Sequence, residues 1–310
     1  MAPTVALLGT ALNAASHVAT APPGRVAFEL FRRPVRRSRV RPAERELHDR
    51  AATGELTVNG KRVRTYRWGD GRRPVLLVHG WQSRASRFAP WVRGLLDQGL
   101  SPVGFDAPGH GDSAGRATTI LEYQELIGRL AERHGPFEAA VAHSFGVCCT
   151  FLAIAEGVPV GRLVAVAGVA EFDFLAGGFA ATLGLNDRLR RDLVRRIEDV
   201  LLPGAGDVRQ RFDATRRPEL VTAPILVVHD EDDDVVPLRQ AHLLREAYGD
   251  RQLRLITTQG LGHRRVLTER TVLDNALAFL TEDAEDAEDA GQAGRTEQAG
   301  RTGRTAAPAG

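Results

Sequence analysis

Several things are scarce in this 310-residue chain, and each scarcity excludes something. There are two cysteines, Cys148 and Cys149, and they are neighbours. Adjacent cysteines rarely pair, so the fold does not rest on a disulfide framework, and a reducing compartment is the default. Both sit just after Ser144 in an apolar segment and read as small buried residues. No stretch approaches the ~20 consecutive apolar residues of a membrane span. Lys61 is the only lysine; the basic side is otherwise arginine, a compositional bias without functional weight. The net charge of +2 is too near balance to draw the chain to nucleic acid or to a membrane surface. The opening MAPTVALLGTALNAASHVATA lacks the positive charge that begins an export signal, and Asn13, Ser16 and His17 interrupt its apolar run. Although Ala19 to Ala21 has the A-x-A form of a cleavage site, a docked N-terminal helix and a cytoplasmic protein are expected.

What is present points to a globular protein. An apolar fraction of 43% supplies a sizeable core. Residues 1–53 read as an N-terminal helix followed by a basic linker, with six arginines in FRRPVRRSRVR (31–41). That run reads as a solvated connection, with contact to an anionic surface as the alternative. From Glu55 the pattern changes. ELTV and RVRTYRW flank Asn59-Gly60, an alternating pattern around a tight turn that predicts a β-hairpin. Short apolar runs then alternate with helical spans: PVLLV (74–78), SPVGF (101–105), FEAAVA (137–142), RLVAVA (162–167), PILVVH (224–229) and LRLIT (253–257). Helices are expected near 86–98, 118–133, 145–156, from 238, and 264–280. This alternation predicts an α/β fold with a parallel sheet covered on both faces.

Two intervals break the rhythm. Residues 171–219 are far too long for an ordinary connection. Within them Leu189, Leu193, Ile197, Val200 and Leu201 recur at helical spacing, with Asn186 or Asp187 as the cap. Such an insertion after a strand predicts a helical lid, and Phe172, Phe174, Leu175 and Phe179, which precede that amphipathic helix within it, suggest an apolar acyl pocket. The tail, residues 282–310, is low in complexity and has no large apolar residue, so it is expected to be disordered.

The chemistry centres on AHSFG (142–146), where a strand gives way to a helix. A serine hydroxyl is a poor nucleophile unless a base takes its proton and donors meet the developing oxyanion. A sharp strand-to-helix turn exposes the hydroxyl of Ser144 and aims the N–H of Phe145 at the reacting oxygen. Small residues must flank such a turn, here Ala142 and Gly146. VHGW (78–81) lets the chain bend at a strand end and offers the N–H of Trp81 as a second donor, whatever packing role the indole ring has. HDEDDDVVP (229–237) places five acidic residues after another strand, any of which could orient a histidine. GLGHRR places His263 after the last strand, where a base would complete the chain order serine, acid, histidine. Several other histidines lie near strand ends, but none has metal-ligand spacing, so no metal and no cofactor is expected.

VHGW, FDAPGHGDS (105–113), AHSFG and HDEDDDVVP with GLGH, in that order, resemble the α/β-hydrolase superfamily over roughly residues 55–280, with alanine standing where the G-x-S-x-G elbow has its first glycine. The resemblance implies a mostly parallel eight-stranded sheet flanked by helices, with the hydrolase domain over 54–281 and the lid about 171–219. It also implies a catalytic triad of serine, acid and histidine. In the family the acid stands four residues before the proline of such a segment. That position is Asp233; Asp232 and Asp234 are the neighbouring alternatives, and Asp173 the one that a variant placement would use. Asp106, His110 and Asp112 fall in what is usually a scaffold turn. A serine at the elbow separates this chain from relatives with an aspartate there. The expected function is a serine hydrolase that cleaves small carboxylic esters or thioesters with an apolar acyl part through an acyl-enzyme. Cofactor-free perhydrolysis or C–C bond hydrolysis on the same triad is the alternative chemistry, and a binding protein that has lost turnover is the alternative class.

Overall fold

A computed structural model describes residues 3–201 and 207–282; the expected disordered tail, apart from Glu282, lies outside these residues. Eight strands form one sheet: β1 (Ala52–Val58), β2 (Lys61–Arg67), β3 (Pro74–Val78), β4 (Ser101–Phe105), β5 (Ala139–His143), β6 (Leu163–Val166), β7 (Ile225–Asp230) and β8 (Leu253–Thr258). Their order across the sheet is β1-β2-β4-β3-β5-β6-β7-β8. The β1–β2 and β2–β4 pairs are antiparallel and all the others are parallel. The Asn59-Gly60 turn joins β1 to β2, and both of its residues adopt positive φ, 47° and 70°, as a two-residue hairpin demands.

Twelve helices accompany the sheet among the described residues: α1 (Pro3–Val18), α2 (Ala21–Phe31), α3 (Pro42–Asp49), α4 (Ala89–Asp97), α5 (Ile120–His134), α6 (Phe145–Ala155), α7 (Phe172–Leu183), α8 (Asp187–Leu201), α9 (Val208–Phe212), α10 (Arg239–Gln252), α11 (Gly262–Arg265) and α12 (Arg270–Thr281). Side-chain alternation along the strands splits the core into two layers. Leu76, Val78, Ala140, Ala142, Ile225 and Val227 pack with α5, α6 and α10. Val75, Leu77, Val141, Leu226 and Val228 pack with α4 and α12. With both faces covered, the central strands are continuous apolar runs.

Some elements differ from the sequence expectation in detail. The helix expected over 264–280 is broken into α11, a 3₁₀ turn at Val266–Thr268, and α12, because Glu269 is extended (φ −70°, ψ 133°). The span expected as a helix from 86 begins as a 3₁₀ turn at Ala85–Phe88 before α4. In the 31–41 run, Arg37 is anchored. Its guanidinium donates to the carbonyls of Gly111 (3.0 Å), Gly115 (2.6 Å) and Ser113. No helix among the described residues is long and apolar enough to cross a membrane.

The N-terminal helices pack on the 171–219 insertion. Leu12 and Ala27 join Ala180, Leu183, Leu185 and Leu189 in a separate apolar cluster. Asn186, one of the two expected caps, is the one used: its Oδ1 accepts the N–H of Leu189 at 3.0 Å. Leu189, Leu193 and Ile197 are fully buried, whereas Val200 is half-exposed. The side chain of Leu201 lies outside the described residues.

Candidate active site

Ser144 joins β5 to α6 with φ 57° and ψ −122°, a strained conformation for any residue but glycine. The neighbourhood explains why its flanks are small. A Cβ on Gly146 would lie 2.5 Å from the carbonyl oxygen of Val78, and one on Gly80 would lie 2.8 Å from Cβ of Ser144. The ends of β3 and β5 therefore meet almost backbone to backbone, with the hydroxyl of Ser144 raised between them.

His263, on α11 after β8, accepts the hydroxyl of Ser144 at Nε2 over 2.9 Å. Its Nδ1 donates to Oδ2 of Asp233 over 2.8 Å. Oδ1 of Asp233 accepts the N–H groups of Val235 (2.9 Å) and Val236 (2.8 Å). Burial pushes the Asp233 carboxyl up, but the hydrogen bond from His263 and those two N–H groups outweigh it and hold its pKa below the usual value. The other acids considered lie elsewhere. Asp232 accepts the N–H of Gly260, Asp234 is exposed, and Asp173 pairs with Arg209 at 2.8 Å.

Trp81 follows the end of β3, and Phe145 follows Ser144 at the start of α6. Their rings meet edge to face at 5.7 Å, and both residues line one cavity with Ser144. Neither N–H donates within the protein among the described residues, and that of Phe145 opens α6, where the helix dipole favours negative charge. The Trp81 loop is held from below. Gln82 N–H donates to Nε2 of His110 at 3.0 Å, and Nδ1 of that ring faces the carbonyl of Pro108 at 3.1 Å. Burial pushes the His110 pKa down to about 3, so the ring is neutral and free to accept. His79 does the same for the next loop, accepting Ala107 N–H at 2.9 Å, with its pKa pushed down to about 4 by burial.

A cavity of about 330 Å³ opens beside Ser144. Phe172, Phe174, Leu175 and Phe179, the four residues read as an acyl pocket, all line it. Among the described residues no group of three or more His, Cys, Asp or Glu side chains is arranged to hold a metal ion.

The sequence model of the Alpha/beta hydrolase family matches residues 75–276. This chain belongs to that family. A monoacylglycerol lipase of Mycolicibacterium smegmatis is 25% identical over 260 residues, spanning 68% of this chain and 89% of the relative. Among solved structures, an esterase of Pyrococcus furiosus superposes with a TM-score of 0.57 at 18% identity, covering 80% of this chain and 96% of the esterase. The thioesterase domain of the curacin biosynthetic pathway superposes with a TM-score of 0.53 at 16% identity, covering 75% of this chain and 99% of that domain.

The family's motif positions are supported by residues that motif reading passed over. Asp230, fully buried at the end of β7, accepts from Leu261 N–H (3.1 Å), Gly262 N–H (2.8 Å) and the hydroxyl of Thr258 (2.7 Å), and so fixes the loop that carries His263. His143 Nε2 lies 2.9 Å from the carbonyl of His263, and burial pushes its pKa down to about 4, so this nitrogen carries a hydrogen and donates. His229 Nε2 donates in the same way to the carbonyl of Val236, at 2.7 Å, in the loop of Asp233. The available signal was three titratable residues placed at strand ends. Phe31 and Arg32, on and just after α2, also line the cavity, as does Cys148. Nothing local in the sequence brings residue 31 to residue 144.

Proposed function

We propose that this hydrolase cleaves carboxylic esters or thioesters through an acyl-enzyme formed on Ser144. His263 takes the serine proton as Oγ attacks the carbonyl carbon. The N–H groups of Trp81 and Phe145 receive the oxyanion of the tetrahedral intermediate. His263 then passes its proton to the leaving alcohol or thiol, and water repeats the cycle with the same residues. Asp233 holds the imidazole in one tautomer and stabilises its cation. The single observation that carries this reading is the unbroken hydrogen-bonded chain from Ser144 Oγ through His263 to Asp233, set at a strained elbow. Names of relatives that describe ester or thioester cleavage agree with it.

In this proposal residues 171–219 act as a lid, and the acyl chain lies against Phe172, Phe174, Leu175 and Phe179. The test is a fluorophosphonate probe. Wild-type protein should be labelled at Ser144, and Ser144→Ala should not. A wild-type chain that turns over no ester and takes no label would make it a binding protein with this fold.

A further inference from the structure

The N-terminal helix α1 is apolar on two sides, and the protein covers only one of them. Leu12 and Ser16 on α1, like Ala27 and Phe28 on α2, are buried. Leu12 and Ala27 pack with Leu183 of α7 and Leu189 of α8. The opposite side of α1 is a stripe at helical spacing, Leu7, Leu8, Ala11, Ala14, Ala15 and Val18, and all six are exposed. Leu7 is 70% exposed and Val18 92%. Of the eight large apolar side chains exposed among the described residues, five fall within residues 7–35. A single exposed leucine needs no explanation, but a continuous stripe along a helix does. Both helices lay their buried sides on the same layer, so the outer side of α2, with Arg25 and Val26 exposed, faces away from that layer as the stripe does.

Charge borders the stripe with one sign. α1 holds no Asp, Glu, Lys or Arg. Residues 1–41 together carry seven arginines and one acid, Glu29, an asymmetry that the net charge of +2 hides. Arg188, exposed at the start of α8, donates to the carbonyl of Ser16 at 2.9 Å, which places its guanidinium beside the C-terminal end of α1. The acids close by are taken by other arginines, Glu29 by Arg32 and Asp192 by Arg196, and neither Arg25 nor Arg188 forms an ion pair among the described residues. Such a face has three candidate occupants, and two do not fit. The tail after Glu282 has no large apolar side chain to lay on the stripe. A second copy of the chain needs more area: with 16 residues α1 is about 24 Å long and about 10 Å across, so its stripe offers ~240 Å², where a stable dimer covers about 800 Å² on each partner.

We propose that the outer face of α1 and α2 docks the protein on an anionic lipid surface, with the stripe from Leu7 to Val18 at the level of the acyl chains and Arg25 and Arg188 at the headgroup phosphates. Apolar area and basic charge add in such a contact. α1 lies in the interface and does not span it, since a span needs about 20 residues. Docking places lipid on one side of α2 and the Ser144 cavity at its end, where Phe31 lines that cavity. The inference does not depend on the hydrolase reading of Ser144.

The experiment is sedimentation of the full chain with vesicles of phosphatidylcholine alone and of phosphatidylcholine with an equal part of phosphatidylglycerol. The protein should bind the anionic vesicles, the bound fraction should fall as salt is raised, and binding to the neutral vesicles should be weaker. Leu7→Glu combined with Val18→Glu should weaken binding by about tenfold or more, because each puts a charge at the level of the acyl chains. Arg25→Glu should weaken it less and flatten the salt dependence. Both stripe positions are exposed, so the thermal melt of the double variant should match wild type; Ala14→Glu repeats the test if that variant fails to fold. No binding to the anionic vesicles, or binding that the stripe variants leave unchanged, overturns the inference. A dimer in analytical ultracentrifugation that the stripe variants dissociate would assign the face to a second copy and overturn it too. Fluorophosphonate labelling in the same samples is a separate readout: its absence bears on the hydrolase reading alone, and absent lipid binding on this inference alone.

Discussion

At the strand ends, polar atoms of side chains bind named backbone groups: Asp230 holds Leu261 and Gly262, His143 holds the carbonyl of His263, His229 that of Val236, and His110 the N–H of Gln82. Above them, α1, α2, α7 and α8 enclose an apolar cluster of Leu12, Ala27, Ala180, Leu183 and Leu189, with Phe31 edge-to-face with Phe179 at 5.3 Å. The hydrogen bonds among these helices come from Asn13, Asn186, Arg188 and Arg196, none of which lines the Ser144 cavity. The close approach of α2 to α8 combines shape, since a Cβ on Gly24 would clash with the carboxylate of Asp192, with a bond from Arg196 to the carbonyl of Ala21 at 3.0 Å. Directional bonds fix atoms to the tolerance that proton transfer needs. Apolar packing fixes a volume and accepts substitution more readily. On the proposed function, the floor of the site serves the chemistry and the roof the choice of substrate.

Substitutions separate the two regions, with the largest effects in the floor. Ser144→Ala should lower kcat by about 10⁵ or more, and adding His263→Ala to it should cost little further, because the two act as one unit. Additive losses in the double variant would contradict a shared hydrogen-bonded chain. Asp233→Asn should cost about 10⁴ in kcat. Asp232→Asn and Asp173→Asn, measured in the same assay, should stay far closer to wild type; the reverse ranking would move the acid to another position.

The floor also carries a pH signature that the roof lacks. His79, His110 and His143 have folded pKa values of about 4, 3 and 4, below the ~6.5 of an unfolded histidine. As pH falls through ~6.5 the unfolded chain takes up these protons first. Stability is therefore fullest above that pH and declines toward pH 4, by on the order of 3 kcal/mol for each ring. Thermal melts should show Tm falling across this window, with His110→Gln reducing the slope. A Tm constant from pH 6.5 to 4 would mean that the rings are not buried neutral.

Much of the floor was legible in the sequence because each part is a local signal at a strand end. AHSFG announces a tight elbow, VHGW a bend, and the spacing to Pro237 singles out Asp233 once the family resemblance is admitted. The strand runs were legible for the same reason, since a doubly covered parallel sheet writes itself as short apolar stretches. Phe31 and Arg32 were not legible. Their place beside Ser144 depends on packing between segments more than a hundred residues apart, and FRRPVRR looks like a solvated linker until Arg37 finds the carbonyls of Gly111 and Gly115. Asp230 was hidden among five acidic residues, because burial, and not residue type, distinguishes it from Asp234.

Smaller effects sharpen the contrast. Asp230→Asn should destabilise the protein by about 1–3 kcal/mol through its loosened loop, read as a lower urea midpoint together with a lower kcat. Phe31→Ala, in the roof, should leave labelling of Ser144 intact and shift the preferred acyl length, changing kcat/KM for any one ester by about tenfold at most. A Phe31→Ala variant as inactive as Asp233→Asn would erase the division between the two regions.

The most direct measurement is a rapid-mixing experiment with a p-nitrophenyl ester, quenched in acid and followed by peptide mass mapping. The account expects a burst of p-nitrophenol near one equivalent per chain and an acyl group found on Ser144. Steady release of p-nitrophenol with no burst and no adduct at Ser144, even when deacylation is slowed, would contradict it.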